Sequence, residues 1–280
     1  MRTNISYFAR QKKEKKPIPM ITAYDATSAF IVEKAGIQTI LVGDSLGMVI
    51  QGHDTTLPVT LDEMLYHCKM VVRGAKNSFV IGDMPFMTYN INPDQALENA
   101  GRFLQEAGVQ AVKVEGGVRM APTIRRLVEN GVPVMAHIGL TPQSVHLFGG
   151  WRVQGKSSEQ AARIVEDAHA IQEAGAFSVV LELLPSELAA HITQILRIPT
   201  IGIGAGPFCD GQVQVFHDVL GLIEEFQPKH ARRYAMLGAQ MYEALSQYTD
   251  DVEAGRFPTE ENSFSAGEDI IKGLYSSVGN

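Results

Sequence analysis

Cysteine and tryptophan are nearly missing from this chain: two Cys and one Trp in 280 residues. Cys68 and Cys209 stand far apart without Cys-x-x-Cys spacing, which excludes a disulfide framework and a cysteine zinc site. A reducing, cytoplasmic setting is the expectation. Basic charge is scarce as well. The formal net charge is −7, and the single basic run, QKKEKK at 11–16, reads as a solvated helical end rather than a nucleic-acid stripe. No apolar run is long enough to span a bilayer, and charge stands near the N-terminus where a secretory signal needs an apolar core. A Walker loop, a Gly-x-Ser-x-Gly elbow and a complete Gly-x-Gly-x-x-Gly fingerprint are all absent. Neither nucleic acid nor a membrane is an expected partner.

Short apolar runs are abundant, and five of them end on an acid or a histidine. TILVGD ends at Asp44, SFVIGD at Asp83, AVKVEG carries Glu115, VPVMAH ends at His137 and SVVLEL carries Glu182. Each has the length and the Val, Ile and Leu content of a parallel strand buried on both faces. Strand-like runs fall near 18–23, 38–43, 78–83, 110–115, 132–137, 177–182 and 198–203, with a weaker eighth at 213–220 that could equally be a helix. Helical patterns at 27–35, 61–74, 93–107, 119–130, 158–174 and 185–196 separate them. Three helices close on EKAG, QEAG and QEAG, ending at Gly36, Gly108 and Gly175, as a left-handed C-cap requires. The alternation predicts one domain over 1–280, a (β/α)8 TIM barrel, with helices and a tail at 227–280.

Ionisable groups at the carboxyl ends of such strands occupy the face where barrels bind ligands. Alternation along a strand sets Lys113 and Glu115 on one face and Val112 and Val114 on the other. Asp44, Asp83 and Glu115 end three consecutive strands, so their charges repel unless a cation joins them. An all-oxygen set suits Mg²⁺; the same acids could instead cap helices or form salt bridges inside the barrel. Glu182, among apolar neighbours, suits a general base, or a carboxylate tied to an arginine or a backbone amide. His137 could bind substrate, shuttle a proton or be purely structural. GIGAG at 202–206 could hold phosphate on backbone amides or merely turn the chain. The loop FGGWRVQGK at 148–156 looks like a lid, and QGHD at 51–54 is a second polar loop on the same face.

The runs LVGDSLGMVIQGHDTTLPVT, KVEGG, HIGLTPQS, FGGWRVQGK and IGIGAG, in this order, closely resemble the ketopantoate hydroxymethyltransferase family over about residues 18–225. Agreement is weaker from PKHARRY onward, where ENSF replaces a histidine-containing ending. The resemblance implies a barrel of the phosphoenolpyruvate/pyruvate type, one Mg²⁺ per subunit, and 5,10-methylenetetrahydrofolate as co-substrate. It implies hydroxymethyl transfer to 3-methyl-2-oxobutanoate through a metal-stabilised enolate, giving 2-dehydropantoate in pantothenate biosynthesis, and a homodecamer. It makes Asp44, Asp83 and Glu115 the metal acids. Ser45 and Lys113 become oxoacid-binding residues together with Asp44, Asp83 and His137, and Glu182 the proton acceptor. The competing expectations are a Mg²⁺-dependent C–C lyase of the same barrel group and a catalytically silent binding barrel.

Overall fold

In the computed structural model, which describes residues 2–225 and 227–267, eight parallel strands close into a barrel in sequence order. They are β1 Ile18–Thr22, β2 Thr39–Val42, β3 Phe79–Asp83, β4 Ala111–Glu115, β5 Val134–Gly139, β6 Ser178–Glu182, β7 Thr200–Ile203 and β8 Gly211–Gln214. Closure is made by β8 on β1, with Gly211 beside Ile18 and Val213 beside Met20. The (β/α)8 expectation is met.

The strands read as continuous apolar runs because both of their faces are covered. Inward side chains of Ile18, Met20, Leu41, Phe79, Ile81, Ala111, Met135, Val180, Ile201 and Val213 fill the barrel. Outward ones such as Val80, Val112, Val114, Val134 and Val179 pack in the separate core that also holds the surrounding helices. Helix α1, Ser6–Glu14, adds Tyr7 and Phe8 to the inner core. The Phe8 ring stands edge-on to Phe79 at 5.4 Å and to Phe177 at 4.9 Å, at the strands' amino ends. Burying such a ring contributes about 1.5–3 kcal/mol, and it closes that end of the barrel.

The outer helices are α2 Ala26–Lys34, α3 Leu46–Val49, α4 Leu61–Gly74, α5 Pro93–Arg102, α6 Ala121–Glu129, α7 Val145–Phe148, α8 Ser158–Glu173, α9 Ser186–Ile195, α10 Phe216–Leu220 and α11 Leu237–Glu253. Their start signals work as the sequence implies. Thr60 and Glu63 form a capping box on α4, Asn92 caps α5 ahead of Pro93, and Ser157 caps α8. The stop glycines Gly36, Gly108 and Gly175 take φ of 86°, 73° and 101°, where a Cβ would be strained.

Four departures have physical reasons. The eighth strand is shorter than expected: it ends at Gln214, and the Phe216 N–H donates to Thr22 Oγ1 at 2.9 Å as the chain turns into α10. Between β7 and β8 the connection 204–210 holds no helix; a four-residue strand spans only about 13 Å, so a short extended return suffices. The helix expected over 93–107 passes from α5 into a π turn at Phe103–Ala107, which sets Phe103 against Gly82, where a Cβ would lie 2.6 Å from the ring. The helical pattern read from residue 231 starts only at Leu237. Before that point Tyr234 N–H donates to Val219 O at 2.7 Å, and Arg233 donates to the carbonyls of Ile223 and Glu224. Those tertiary bonds outcompete the helical ladder. Helix α11 buries none of its side chains. The expected tail over 268–280 lies outside the described residues. No helix among the described residues is long and apolar enough to cross a membrane.

Candidate active site

Strand register sets the chemistry side by side. Asp83 is the partner of Lys113 across β3 and β4, Glu115 of His137 across β4 and β5, and Glu182 of Gly139 across β5 and β6. Lys113 and Glu115 share the inner face, as strand alternation requires, while Val112 and Val114 pack outward. Asp44 comes from the turn between β2 and α3, its N–H donating to Asp83 Oδ2 at 3.3 Å. Asp44, Asp83, Lys113, Glu115, His137 and Glu182 are all the buried Asp, Glu, Lys, Arg and His side chains among the described residues. The carboxyl-end reading of the five runs therefore holds in position: the structure brings every one of these groups to a single mouth.

Lys113 Nζ donates to both Asp83 oxygens at 2.7 and 2.9 Å and to Glu115 Oε1 at 3.3 Å. Burial opposes its charge, yet Asp83, Glu115 and Asp44 outweigh that and hold the ammonium well above its ordinary pKa. Glu115 resists its own burial because Lys113 and His137 keep it ionised, with a pKa of about 2. His137 lies between two carboxylates, Nδ1 3.4 Å from Glu115 Oε1 and Nε2 3.3 Å from Glu182 Oε2. Neither nitrogen is aligned for a hydrogen bond, so the ring is held by charge. Burial and Lys113 disfavour the imidazolium, but the two glutamates lift its pKa to about 9. Asp44 is the strained member: burial, then Asp83 and Glu115, push its carboxyl well above the ordinary range.

Four buried carboxylates thus face two buried bases, and with all six ionised the mouth carries two negative charges too many. Such an excess in low dielectric calls for a cation. No three His, Cys, Asp and Glu side chains among the described residues form a ready-made metal cage. A hard dication does not need one, because Mg²⁺ binds through one or two carboxylates with water and substrate oxygens completing its shell. All three expected acids already accept hydrogen bonds: Asp44 Oδ2 from Gln143, both Asp83 oxygens from Lys113, and Glu115 from Lys113 through one oxygen and from Gln143 N–H at 3.0 Å through the other.

Gln143 escaped the sequence reading, although it lies in the HIGLTPQS run. Its Nε2 donates to Asp44 Oδ2 and to Met84 O, both at 2.9 Å, and its Oε1 accepts from the Tyr89 hydroxyl at 2.5 Å. That hydroxyl also accepts Glu115 N–H at 3.1 Å. Tyr24, also missed, pairs its hydroxyl with Ser45 Oγ at 2.9 Å. Loop residues carry no periodicity, so only the motif could have flagged Gln143.

The six ionic groups and Ser45 line a cavity of about 860 Å³, together with His53 and Asp54 of one predicted polar loop and Trp151 of the loop expected as a lid. The GIGAG glycines precede no helix that could present amides to a phosphate. Gly204 instead admits the Leu183 side chain, which would meet a Cβ there at 2.6 Å.

A family model described as ketopantoate hydroxymethyltransferase matches residues 2–260. The 3-methyl-2-oxobutanoate hydroxymethyltransferase of Chloroflexus aggregans is 60% identical over 263 residues, 94% of each chain. That of Dehalococcoides mccartyi (strain CBDB1) is 53% identical over 278 residues, 99% of this chain and 100% of its own. Among solved structures, a 2,3-dimethylmalate lyase of the PEP mutase/isocitrate lyase superfamily aligns with a TM-score of 0.57 at 17% identity, covering 100% of both chains. A phosphonopyruvate hydrolase in complex with oxalate and Mg²⁺ aligns with a TM-score of 0.60 at 11% identity, covering 99% of this chain and 96% of that one. At these identities the likeness is one of fold alone, a closed parallel (β/α)8 barrel.

Proposed function

The chain belongs to the ketopantoate hydroxymethyltransferase family, and from that premise we propose that it moves a hydroxymethyl group from 5,10-methylenetetrahydrofolate to C3 of 3-methyl-2-oxobutanoate, giving 2-dehydropantoate for pantothenate biosynthesis. The observation that carries this reading is the concentration of every buried Asp, Glu, Lys and His among the described residues at one barrel mouth, with an excess of negative charge.

Lys113 and Ser45 bind the oxoacid carboxylate, with His137 lining the same pocket. Asp44, Asp83 and Glu115 would hold Mg²⁺, directly or through water, and Glu115 also contacts Lys113 and faces His137. When bound, the ion supplies Lewis-acid stabilisation of negative charge on the keto oxygen, worth several kcal/mol. Glu182 accepts the C3 proton, a general-base contribution of about 10²–10⁴-fold. Water adds to the donor's methylene carbon as its two C–N bonds break, leaving tetrahydrofolate and a one-carbon unit at the aldehyde level; the electron pair left at C3 forms the new bond to that carbon, and its oxygen takes up a proton to become the hydroxyl. His137 stands beside the Glu182 carboxylate, Nε2 3.3 Å from Oε2.

A C–C lyase working through a loop cysteine finds no support here. Cys68 is buried in α4 and Cys209 is half-buried, and burial pushes both thiols up, away from thiolate. A homo-oligomer belongs to the same proposal: α11 exposes Met241, Tyr242, Leu245 and Tyr248.

Glu182→Gln tests the reading. The variant should bind the oxoacid normally yet lose exchange of the C3 proton for deuterium in D₂O. Exchange persisting near the parent rate would remove Glu182 from the role of base.

A further inference from the structure

The main cavity is larger than its acceptor needs and is divided by chemistry. A small oxoacid of about eight heavy atoms, at roughly 30 Å³ each (the share of a water molecule in the liquid), fills less than a third of it. The six buried ionic groups come from the β2 to β6 side. The opposite side, after β6 and around β7, β8 and α10, is walled mainly by Leu183, Ile203, Val213, Val215, Ile223 and Pro228, with Asp218, Lys229 and His230 beside them. That wall is built and not incidental. Leu183 is held at φ 44°, a conformation that costs a non-glycine residue of order 1 kcal/mol or more, and Gly204 leaves the space its side chain fills.

Within this apolar half, two acceptors lack donors. Gln214 Oε1 is buried without a hydrogen-bond partner. The Asp218 carboxylate, also lining the cavity, accepts no hydrogen bond among the described residues; half-burial pushes its carboxyl up, against the weaker pull of the nearby His230 and Arg233. Apolar walls with unpaired acceptors suit a fused nitrogen heterocycle that presents N–H groups along one edge. Glu182 borders both halves, so a ring seated here can deliver a carbon to the atom that Glu182 deprotonates. The other large cavity, about 580 Å³, contains neither Glu182 nor Lys113 and touches the ionic cluster only through Glu115.

Resting on the function proposed above, we infer that this lobe is the seat of the donor's pterin ring, with Asp218 accepting from its amino and ring N–H groups and Gln214 accepting beside it. Leu183, Ile203 and Val213 sandwich the ring faces.

The test uses tetrahydrofolate as the probe, titrated under argon into the full chain with Mg²⁺ and oxoacid present. Asp218→Asn should weaken binding by about 10–100-fold, the worth of a lost charge-assisted hydrogen-bond pair. It should raise KM for methylenetetrahydrofolate by a similar factor, while KM for the oxoacid moves less than about threefold. Gln214→Ala should shift the same two quantities in the same direction, and circular dichroism checks that both variants are folded. Parent-like affinity and KM in both folded variants overturns the inference and leaves the proposed function intact. A parent chain that exchanges the C3 proton yet binds no tetrahydrofolate overturns the inference and the folate donor together. A parent that does neither removes the functional reading and, with it, the inference.

Discussion

Removing the Lys113 ammonium is the sharpest perturbation this barrel offers. Its Nζ contacts Asp83 at 2.7 and 2.9 Å and Glu115 at 3.3 Å, and all three side chains are at most 4% exposed. Met keeps most of the aliphatic stem, so Lys113→Met deletes charge with little change in packing. Breaking a buried pair from one side costs about 3–5 kcal/mol, because the stranded carboxylate keeps its desolvation penalty. Against a total stability of about 5–15 kcal/mol, that is a large fraction. The cure for a stranded charge is to neutralise it, so Lys113→Met with Asp83→Asn should lose less than Lys113→Met alone. Urea unfolding followed by circular dichroism, in chelator to hold metal out, measures both. A single variant within about 1 kcal/mol of the parent, or a double variant no better than the single, would refute the view that Lys113 is held chiefly by buried charge.

Gln143→Ala removes the side-chain donor to Asp44 and the acceptor of the Tyr89 hydroxyl, which keeps only Glu115 N–H; Mn²⁺ affinity, read by electron paramagnetic resonance, should fall by about 10–100-fold, and unchanged affinity would make Gln143 a packing residue only. Glu33 supplies a pH-dependent test away from the site. Its carboxylate accepts N–H groups of Lys76, Asn77 and Ser78 at 3.2, 2.6 and 2.7 Å. Partial burial raises its pKa, but these donors win and set it below the ordinary value. Its stabilisation is therefore complete above the unfolded pKa of about 4.3 and is lost as pH falls through the lower folded value. Glu33→Gln should cost about 1–3 kcal/mol at pH 7, and the gap to the parent should narrow on acidification; a gap that widens with falling pH contradicts the assignment.

What the sequence disclosed follows from where order is local. The five acid- or histidine-ended runs were readable because a strand buried on both faces must be apolar until it reaches the mouth, so Asp83, Glu115 and Glu182 stand out as breaks in a pattern. Lys113 beside Glu115 was readable from alternation alone. The tie from Gln143 to Asp44 was not, since it joins residues 99 positions apart through a loop without periodicity. Nor was the closure by Phe8, whose burial exists only once Phe79 and Phe177 surround it. The run at 213–220 stayed open between strand and helix for a related reason: Val213 and Val215 alternate like a strand, and only the bond from Phe216 to Thr22 fixes where the helix takes over.

Tyr7 and Phe8 stopper the strands' amino ends. The buried charges at the strands' carboxyl ends are therefore reached from the loop side of the barrel, past His53, Asp54 and Trp151, so substitutions in those loops should alter entry without touching the strands beneath.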